Sequence, residues 1–343
     1  MISIIIVTWN GEKYIEKLIK SLSYAVKKCE DEVEVIFVDN ASTDGTLNLI
    51  NSYIHLLGRN RSKLIKLNKN LHFAAGNNIG ITYAKGDIIF LLNQDTYVDE
   101  NFLQEVSRTF REDPSIGVAQ CLLLQYRYPQ ILDSCGDQIS ELGPGTIGCI
   151  GESAAHVLSR ITNLSEIQIA RGAALAVRRK ILEISKLFFN TYLPKYFIVG
   201  GYEDWFISLF ARLLGFRVVI LKNCIVYHDS LSIRNYNPYV LYNIINLFVE
   251  FGAPLRRILY IPLISLIAVI VYRRNIRIFL HVILYVLKRF RYMLHKKYYI
   301  EVLSKITNIR IKDLWKSKVS ATSWLRWYIG YLRLVHKLRA LQQ

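Results

Sequence analysis

The side chains best suited to chemistry in this 343-residue chain are acids, amides and one histidine that follow short apolar runs. Carboxylates and imidazoles transfer protons and bind divalent cations, so a cluster of them is the first candidate for a reactive site. In chain order, the candidates are Thr8, Asn10, Glu12, Asp39, Asn40, Ser42, Asp44, Asn93, Gln94, Asp95, Glu203, Asp204 and His228.

Each charged candidate also has an ordinary structural interpretation. Asp39 and Asp44 can cap a turn and the helix that follows it. Asp95 can be an acid at a helix N-terminus, and the Glu203-Asp204 pair can complement a helix dipole. His228 can be a hydrogen-bonded core histidine. Both interpretations stay open for each residue alone, and the joint placement of the set favours a functional site.

The first 120 residues alternate between predicted strands and predicted helices. Short apolar runs predict buried strands at 2–7, 33–38, 64–67 and 88–92. Apolar residues at helical spacing predict helices at 12–28, up to about 57, 74–84 and 101–111. This order predicts an α/β fold with a mainly parallel central sheet. Because ligands bind outside the carboxyl ends of such strands, the candidates are expected at one rim.

The alternation is lost between residues 125 and 168, which are rich in glycine. A long, loop-rich insertion that shapes the substrate site is predicted there. Order returns with a strand at 174–177 and helices near 179–187 and 204–214. Two further strands are predicted near 217–221 and 224–227.

The net charge of +17 is confined to the last third of the chain. Residues 1–230 hold 24 basic and 24 acidic side chains, whereas residues 231–343 hold 20 basic and three acidic ones, and 20 − 3 = 17. This split predicts a neutral domain at 1–230 and a basic, apolar, helical region at 231–343. The five cysteines are widely spaced, with no C-x-x-C pattern, so reduced thiols and a cytosolic setting are expected.

Two apolar runs in the basic region, 258–272 and 278–287, are flanked by arginine or lysine. Three interpretations stay open for them: a short transmembrane helix, helices lying in the membrane interface, or a buried core hairpin. The first run has fifteen residues, fewer than the roughly 20 that a bilayer span needs. Basic flanks and tyrosines favour the interfacial interpretation, and an anionic membrane surface is the expected partner.

Seven stretches in this order resemble the family 2 glycosyltransferases, which use nucleotide sugars and have the Rossmann-like GT-A fold. Within them, the likeness is greatest to the rhamnosyltransferase-like group. The stretches span about residues 1–230 and are IIIVTWNGEKYI (4–15), VDNASTDGT (38–46), NLHFAAGNNIG (70–80), GDIIFLLNQDTYVD (86–99), RGAALAVRR (171–179), GGYEDW (200–205) and VYHDS (226–230).

The resemblance implies a role for each matching position. It implies that one set of residues binds the nucleotide sugar: Thr8, Asn10, Glu12, Asp39, Asp44, Asn77, Asn93, Gln94 and Gly172. It implies that Asp95, retained in an N-x-D form of the metal-binding D-x-D motif, and His228 bind Mn²⁺ or Mg²⁺. It implies that Asp204 is the general base, with Glu203 beside it.

The implied function is metal-dependent and inverting transfer of a hexosyl or rhamnosyl group from a nucleotide diphosphate donor. The basic region suggests a glycan or lipid-linked acceptor at the cytoplasmic face of the membrane. The protein itself is expected to bind the membrane peripherally rather than by a single span. A nucleotidyltransferase is disfavoured, because strand one lacks a glycine-rich loop with arginine or lysine. A nucleic-acid binder is disfavoured because the basic residues alternate with long apolar runs. A catalytically inactive scaffold is the remaining alternative.

Overall fold

We describe residues 1–58, 60–140, 149–194, 201–230, 240–254, 276–316 and 320 in a computed structural model. The first part of the chain alternates strands and helices, as predicted. The strands are β1 (Ile2–Thr8), β2 (Val33–Asp39), β3 (Ser62–Lys66), β4 (Ile88–Leu92) and β5 (Thr96–Val98). The helices are α1 (Glu12–Lys28), α2 (Thr46–Tyr53), a 3-10 turn (Ile54–Leu57), α3 (His72–Tyr83) and α4 (Phe102–Glu112).

The later elements complete the sheet and cover one of its faces. The strands are β6 (Ile116–Gln125), β7 (Leu132–Ser134), β8 (Ala174–Arg178) and β9 (Arg217–His228). The helices are α5 (Ala154–Arg160), α6 (Arg179–Phe189), α7 (Glu203–Leu213), α8 (Val240–Glu250), α9 (Ile276–Thr307) and α10 (Ile311–Leu314).

The strands form one mixed, mostly parallel sheet in the order β3-β2-β1-β4-β8-β6-β9-β5, with β7 paired to β6. Strands β1 to β4 are parallel where they pair, and β6 is parallel to β9. Strand β8 is antiparallel to both β4 and β6, and β5 is antiparallel to β9. The sheet therefore has a parallel half and a mixed half, joined at β8.

Helix α3 lies close to the sheet because it carries two glycines. A Cβ atom at Gly80 would lie 2.4 Å from Ile5 Cγ2, and one at Gly76 would lie 2.8 Å from Val7 Cγ1. Glycine disfavours a helix by about 1 kcal/mol relative to alanine, yet here no side chain fits between α3 and β1. The helix predicted at 74–84 is thus confirmed, and its glycines set the distance between α3 and β1.

Strand β6 is the largest element that the sequence interpretation missed. Its ten residues are all buried, so its sequence shows no alternation of polar and apolar residues. The strands predicted at 217–221 and 224–227 are one strand, β9, whose pairing with β6 shifts register between Cys121 and Leu122. In the loop-rich insertion, the structure adds β7 and α5, while residues 141–148 lie outside the described part.

The prediction of reduced thiols is wrong for four of the five cysteines. Cys121 of β6 and Cys224 of β9 form a disulfide, with Cα atoms 4.9 Å apart, because the two strands are sheet neighbours. Cys135 and Cys149 form a second one. Cys29 is a free thiol. The first pair is separated by 103 residues in sequence, and only the strand order brings its members together.

The described part of the basic region packs on the same core as the sheet. Trp315 is buried, donates its indole N–H to the Phe251 carbonyl at 2.6 Å, and lies 4.6 Å from the Phe248 ring. Phe248 in turn packs against Trp205 of α7. A domain boundary at residue 230 stays a prediction. The contacts show that α8 and α10 support the helix that carries Glu203 and Asp204.

The apolar run 258–272 lies outside the described residues, and the run 278–287 falls within α9. No helix in the described ranges is both long enough and apolar enough to cross a bilayer.

Candidate active site

Five of the predicted site residues line one cavity of about 310 Å³. It opens where β4 and β9 end, beside the start of β8 and the N-terminus of α7. Its lining residues are Phe73, Asn93, Arg171, Gly172, Ala173, Gly201, Glu203, Asp204 and His228. The expected rim of polar side chains is therefore present, and two acids stand in it with a histidine and an arginine.

One side of the cavity is built by the pairing of β5 with β9. Thr96 lies opposite His228 in this antiparallel pair, so Asp95, one residue earlier, reaches the imidazole. His228 Nε2 lies 3.5 Å from Asp95 Oδ1. Burial disfavours the imidazolium, but the nearby carboxylates of Asp95 and Asp133 outweigh it and raise the pKa of His228 to about 10. The histidine is thus held in a strongly negative environment.

A divalent cation fits the donor set on this side. The buried Asp95 Oδ2 and Asn93 Oδ1 atoms have no hydrogen-bond partner among the described residues, and the His228 imidazole lies beside Asp95. No group of three or more His, Cys, Asp and Glu side chains surrounds one metal position in the described ranges. One carboxylate with imidazole and amide support suits Mg²⁺-like ions, which take most of their remaining ligands from substrate phosphates and water.

Asp133 is a residue that the sequence interpretation missed. It is buried in β7, and its Oδ2 atom lies 2.7 Å from His228 Nδ1. Its Oδ1 atom accepts from Gln125 Nε2 at 2.9 Å and from Ser230 Oγ at 2.6 Å. A carboxylate bound to Nδ1 orients the ring so that Nε2 points at a cation. The only sequence signal was an acid in the loop-rich insertion, which gives no hint of contact with residue 228.

We therefore expect Asp133→Asn to weaken Mn²⁺ binding by about 10- to 100-fold, the usual effect of losing such an outer partner. Electron paramagnetic resonance of free Mn²⁺ measures this without any turnover. Asp87→Asn, at a 90% exposed side chain, is the matched control. Equal Mn²⁺ affinity in wild type and Asp133→Asn would show that Asp133 does not orient the histidine.

The cavity is also lined by Asp204, in the first turn of α7. Its Oδ2 accepts the Gly172 N–H at 3.0 Å, and its Oδ1 accepts the Trp205 N–H at 2.8 Å. A Cβ atom at Gly172 would lie 3.3 Å from the Asp204 Cβ, so glycine allows this close approach. Burial raises the pKa of Asp204, although the Gly172 N–H and the Arg171 charge oppose it. A fixed carboxylate with a raised pKa is suited to removing a proton near neutral pH.

Glu203 differs from Asp204 in its surroundings. It is buried, its Oε2 atom accepts the Gly201 N–H at 2.6 Å, and its Oε1 atom has no hydrogen-bond partner in the described part of the chain. Burial, with a smaller contribution from the Asp204 charge, raises the pKa of Glu203 to about 8. At pH 7, Glu203 is therefore mostly neutral.

This raised pKa predicts a pH-dependent stability. Between pH 4.5 and about 8, the unfolded chain releases the Glu203 proton while the folded chain keeps it, so stability falls as the pH rises. The slope approaches roughly 1.4 kcal/mol per pH unit for one group. Glu203→Gln should remove this pH dependence. The free energy of unfolding of the variant relative to wild type should therefore rise by about 1–4 kcal/mol between pH 5 and pH 8. Urea unfolding measures the difference.

The matched control for that experiment is Glu112→Gln, at an exposed glutamate at the end of α4. The pH dependence of its stability difference from wild type is subtracted as the background of a glutamate-to-glutamine change. No pH dependence of Glu203→Gln beyond that background would show that the pKa of Glu203 is not raised in the folded protein.

The loops after β1 and β2 form one hydrogen-bonded unit. Thr8 Oγ1 donates to Asp39 Oδ1 at 2.9 Å, and Asn10 Oδ1 accepts the Thr43 N–H at 2.9 Å. Glu12 Oε2 accepts the Gly45 N–H at 3.0 Å, while Asp44 Oδ2 accepts the Glu12 N–H at 3.2 Å. The side chains of the predicted nucleotide pocket thus meet, but many of them already bond to each other.

The hydrogen bonds of these loops favour the ionised form of the Asp44 carboxyl. Burial raises the pKa of this carboxyl, yet the hydrogen bonds from Thr46 and from the Glu12 N–H together lower it below its usual value. The capping interpretation of Asp44 is correct in geometry, since it bonds the first residue of α2. Its role toward a nucleotide stays a prediction.

The two remaining predicted residues, Gln94 and Asn77, make different contacts. Gln94 pairs with the Trp9 backbone, accepting its N–H at 2.8 Å and donating to its carbonyl at 3.0 Å, and so joins the β1 loop to the β4 end. Asn77 is buried in α3 and donates to the Phe73 carbonyl at 3.0 Å within its own helix. Asn77 is not among the residues that line the cavity.

The fold is an α/β fold of the GT-A-like type. It is similar to a crystal structure of GalNAc-T7 with UDP, GalNAc and Mn²⁺, at a TM-score of 0.54 and 17% identity, over 72% of this chain and 47% of that one. It is also similar to the mannosyltransferase PcManGT from Pyrobaculum calidifontis, in complex with GDP-Man and Mn²⁺. The TM-score is 0.50 and the identity 16%, over 90% of this chain and 87% of that one.

Within that fold class, residues 3–126 match the family described as Glycosyl transferase family 2. The chain is 26% identical to "Glycosyltransferase GlyG" of Streptococcus pneumoniae over 33% of this chain and 36% of that protein. It is 30% identical to the poly(ribitol-phosphate) beta-N-acetylglucosaminyltransferase TarS of Staphylococcus aureus, over 33% of this chain and 19% of that protein.

These matches cover well under half of either relative's length. The family segment contains Thr8 to Asp95 but ends before Glu203, Asp204 and His228. The arrangement of those three side chains therefore rests on the geometry of the cavity.

Proposed function

We propose that the protein transfers a glycosyl group from a nucleotide diphosphate sugar to a hydroxyl of an acceptor. One observation carries this proposal: Asp204, fixed by two backbone N–H groups, faces the same cavity as Asn93 and His228, beside the orphaned Asp95 carboxylate. A candidate general base and oxygen and nitrogen ligands for a cation thus lie in or beside the same cavity. Glycosyl transfer needs both, the base for the acceptor hydroxyl and the cation for the departing diphosphate.

The residues have two roles in the proposed reaction, which are to bind the cation and nucleotide and to activate the acceptor hydroxyl. In the first role, Asp95, His228 and Asn93 would hold Mn²⁺ or Mg²⁺, and Asp133 would orient His228. When bound, the cation would neutralise charge on the departing nucleotide diphosphate. The β1 and β2 loops would receive the nucleotide, next to Gln94 and Trp9.

In the second role, Asp204 removes the proton from the attacking hydroxyl, and that oxygen bonds to the anomeric carbon as the diphosphate oxygen leaves. Glu203 is mostly neutral at pH 7 and has one oxygen held by the Gly201 N–H, so it is a poor nucleophile. Since Asp204 acts as a base and Glu203 is a poor nucleophile, no covalent intermediate is expected, and we expect displacement with inversion of the anomeric centre.

The donor and acceptor are proposed by class. The donor is a hexosyl or rhamnosyl nucleotide, and membership of the rhamnosyltransferase-like group stays part of this proposal. The relatives and neighbours described above are named with N-acetylglucosamine, GalNAc or mannose. The acceptor is a glycan or a lipid-linked glycan.

We propose that the protein works at the cytoplasmic face of a membrane, bound peripherally. The 20 basic and three acidic residues of 231–343 support attraction to anionic lipid. The cysteines no longer support a cytosolic setting, since four of them are paired, so the charge carries this proposal alone. Binding to liposomes with and without anionic lipid tests it, and equal binding to both would contradict it.

Donor binding tests the proposed function directly. A panel of UDP-, GDP- and dTDP-sugars is titrated with and without Mn²⁺, and the melting temperature and calorimetric heat are recorded. At a donor concentration 100 times its dissociation constant, the folded state gains about 2.7 kcal/mol, a readily measured shift. We expect at least one donor to bind only with the metal. Metal-dependent binding by none of them would contradict the proposal, and binding without turnover would indicate an inactive scaffold.

A further inference from the structure

Arg171 is a cation in the active-site cavity that the proposed mechanism does not use. It comes directly before Gly172, whose N–H donates to Asp204, and it is one of the residues that line the cavity. Its backbone N–H donates to Gln120 Oε1 at 2.6 Å, and its Nε donates to Asp137 Oδ2 at 3.1 Å. The arginine is thus anchored at its backbone and at the inner edge of its guanidinium group.

The outer edge of that guanidinium group is open. The two Nη groups donate to no acceptor in the described ranges, and neither belongs to the buried polar atoms that lack a partner there. The side chain is 25% exposed, although its partner Asp137 is buried. Because Arg171 lines the cavity, the unpaired N–H groups of its planar, permanently charged guanidinium fork lie beside that space.

The surroundings of Arg171 are acidic, yet the Nη groups of its guanidinium fork have no hydrogen-bond partner in the described part of the chain. Burial lowers the pKa of Arg171, but Asp137, Asp133 and Asp204 outweigh it and raise the value. Asp137 Oδ2 accepts the Nε–H, while the buried Asp137 Oδ1 atom has no hydrogen-bond partner in the described part of the chain, and the two Asp204 oxygens accept backbone N–H groups. The Nη atoms of Arg171 thus donate to none of these acids.

We propose that Arg171 binds an anionic group of the acceptor, a phosphate or a carboxylate, next to the hydroxyl that Asp204 deprotonates. This rests on the proposed glycosyl transfer. A guanidinium fork matches two oxygens of such a group, and a neutral sugar hydroxyl offers no equal partner. Arg171 adjoins the base, so its ligand lies beside the attacking hydroxyl. The acceptor class is then an anionic glycan or a polyol-phosphate chain.

The charge of the rest of the chain agrees with an anionic acceptor. Residues 1–230 have no net charge, and residues 231–343 carry the whole excess of +17. A polyanionic chain would be attracted to the basic region at a distance and then held by Arg171 at the reacting end. The nucleotide diphosphate is the other source of phosphate oxygens in this cavity, and the experiment separates the two.

The test is isothermal titration calorimetry on protein whose nucleotide and metal sites are already occupied. Protein saturated with Mn²⁺ and UDP, or with Mn²⁺ and GDP, is titrated with glycerol 3-phosphate against glycerol, and with glucuronate against glucose. We expect one or both anionic probes to bind at least tenfold more tightly than the neutral one. Arg171→Gln should lose that preference and keep its affinity for the nucleotide. Arg160→Gln, which removes an exposed arginine outside the cavity, should keep both.

A structural role for Arg171 is separated by the double variant Arg171→Gln/Asp137→Asn. It removes both partners of the Arg171–Asp137 pair, so it should recover thermal stability lost in Arg171→Gln while the anion preference stays lost. Recovery of the preference in the double variant would overturn the proposal. So would a loss of nucleotide affinity in Arg171→Gln, which would assign the fork to the donor diphosphate. If neither UDP nor GDP binds, it is the proposed transfer that fails.

Discussion

Replacing Asp204 by asparagine is expected to slow glycosyl transfer by about 10²- to 10⁴-fold, the usual contribution of a positioned general base. The cause is chemical rather than structural. Asparagine has nearly the shape of aspartate and keeps one oxygen to accept the Gly172 or Trp205 N–H, but it cannot take the hydroxyl proton. Donor binding in the presence of Mn²⁺ should stay within about threefold of wild type, because Asp204 is not among the predicted cation ligands.

The matched variant for this experiment is Glu203→Gln. Glu203 is mostly neutral at pH 7, so replacing it by a neutral amide changes the charge of the cavity little. Turnover at pH 7 should therefore fall far less than in Asp204→Asn. If the two variants lose activity in the reverse order, Glu203 is the base and the difference in their surroundings has been misjudged.

Replacing Asp95 by asparagine is expected to remove metal-dependent donor binding. Asp95 offers the one buried carboxylate oxygen without a hydrogen-bond partner on the His228 side in the described structure. An outer partner such as Asp133 accounts for about 10- to 100-fold in metal affinity, and a direct ligand should cost at least as much. We expect Mn²⁺ affinity to fall by at least about 100-fold and turnover to fall with it.

Two controls accompany the Asp95 variant. Asp87→Asn, at an exposed acid, should bind Mn²⁺ as wild type does. Removing metal from wild type with a chelator should abolish turnover, and adding Mn²⁺ should restore it. Unchanged Mn²⁺ affinity in Asp95→Asn, or turnover that survives chelation, would exclude Asp95 from the metal site.

The parts of the site that follow local sequence order could be predicted. Strands β1, β2 and β4 are short buried runs, and polar residues come directly after each, so Asp39 and Asp95 were expected at one sheet edge. The helix predicted near 204–214 starts at Asp204, and the observed α7 starts one residue earlier, at Glu203. These predictions needed only the period of the apolar residues and the known direction of parallel strands, whereas the roles of Asp95 and Asp204 came from the family resemblance.

The parts that depend on distant strand pairing could not be predicted. Asp133 reaches His228 because β7 and β9 both pair with β6, and β6 gives no alternating pattern. The Cys121–Cys224 disulfide has the same origin. Arg171 lay within a quoted motif, yet its open fork depends on Asp137, a residue of the loop-rich insertion. Pairings over 34 to 103 residues leave no mark in local spacing.

The most direct test of the central claim is the stereochemistry of donor turnover. Wild-type protein, Mn²⁺ and the donor that binds in the panel are followed by proton NMR, and the first product formed on an acceptor or water is read before it equilibrates. We predict a product whose anomeric configuration is opposite to that of the donor, formed by wild type and not by Asp204→Asn. A product with the donor's configuration, or no turnover although donor and Mn²⁺ are bound, would contradict the claim.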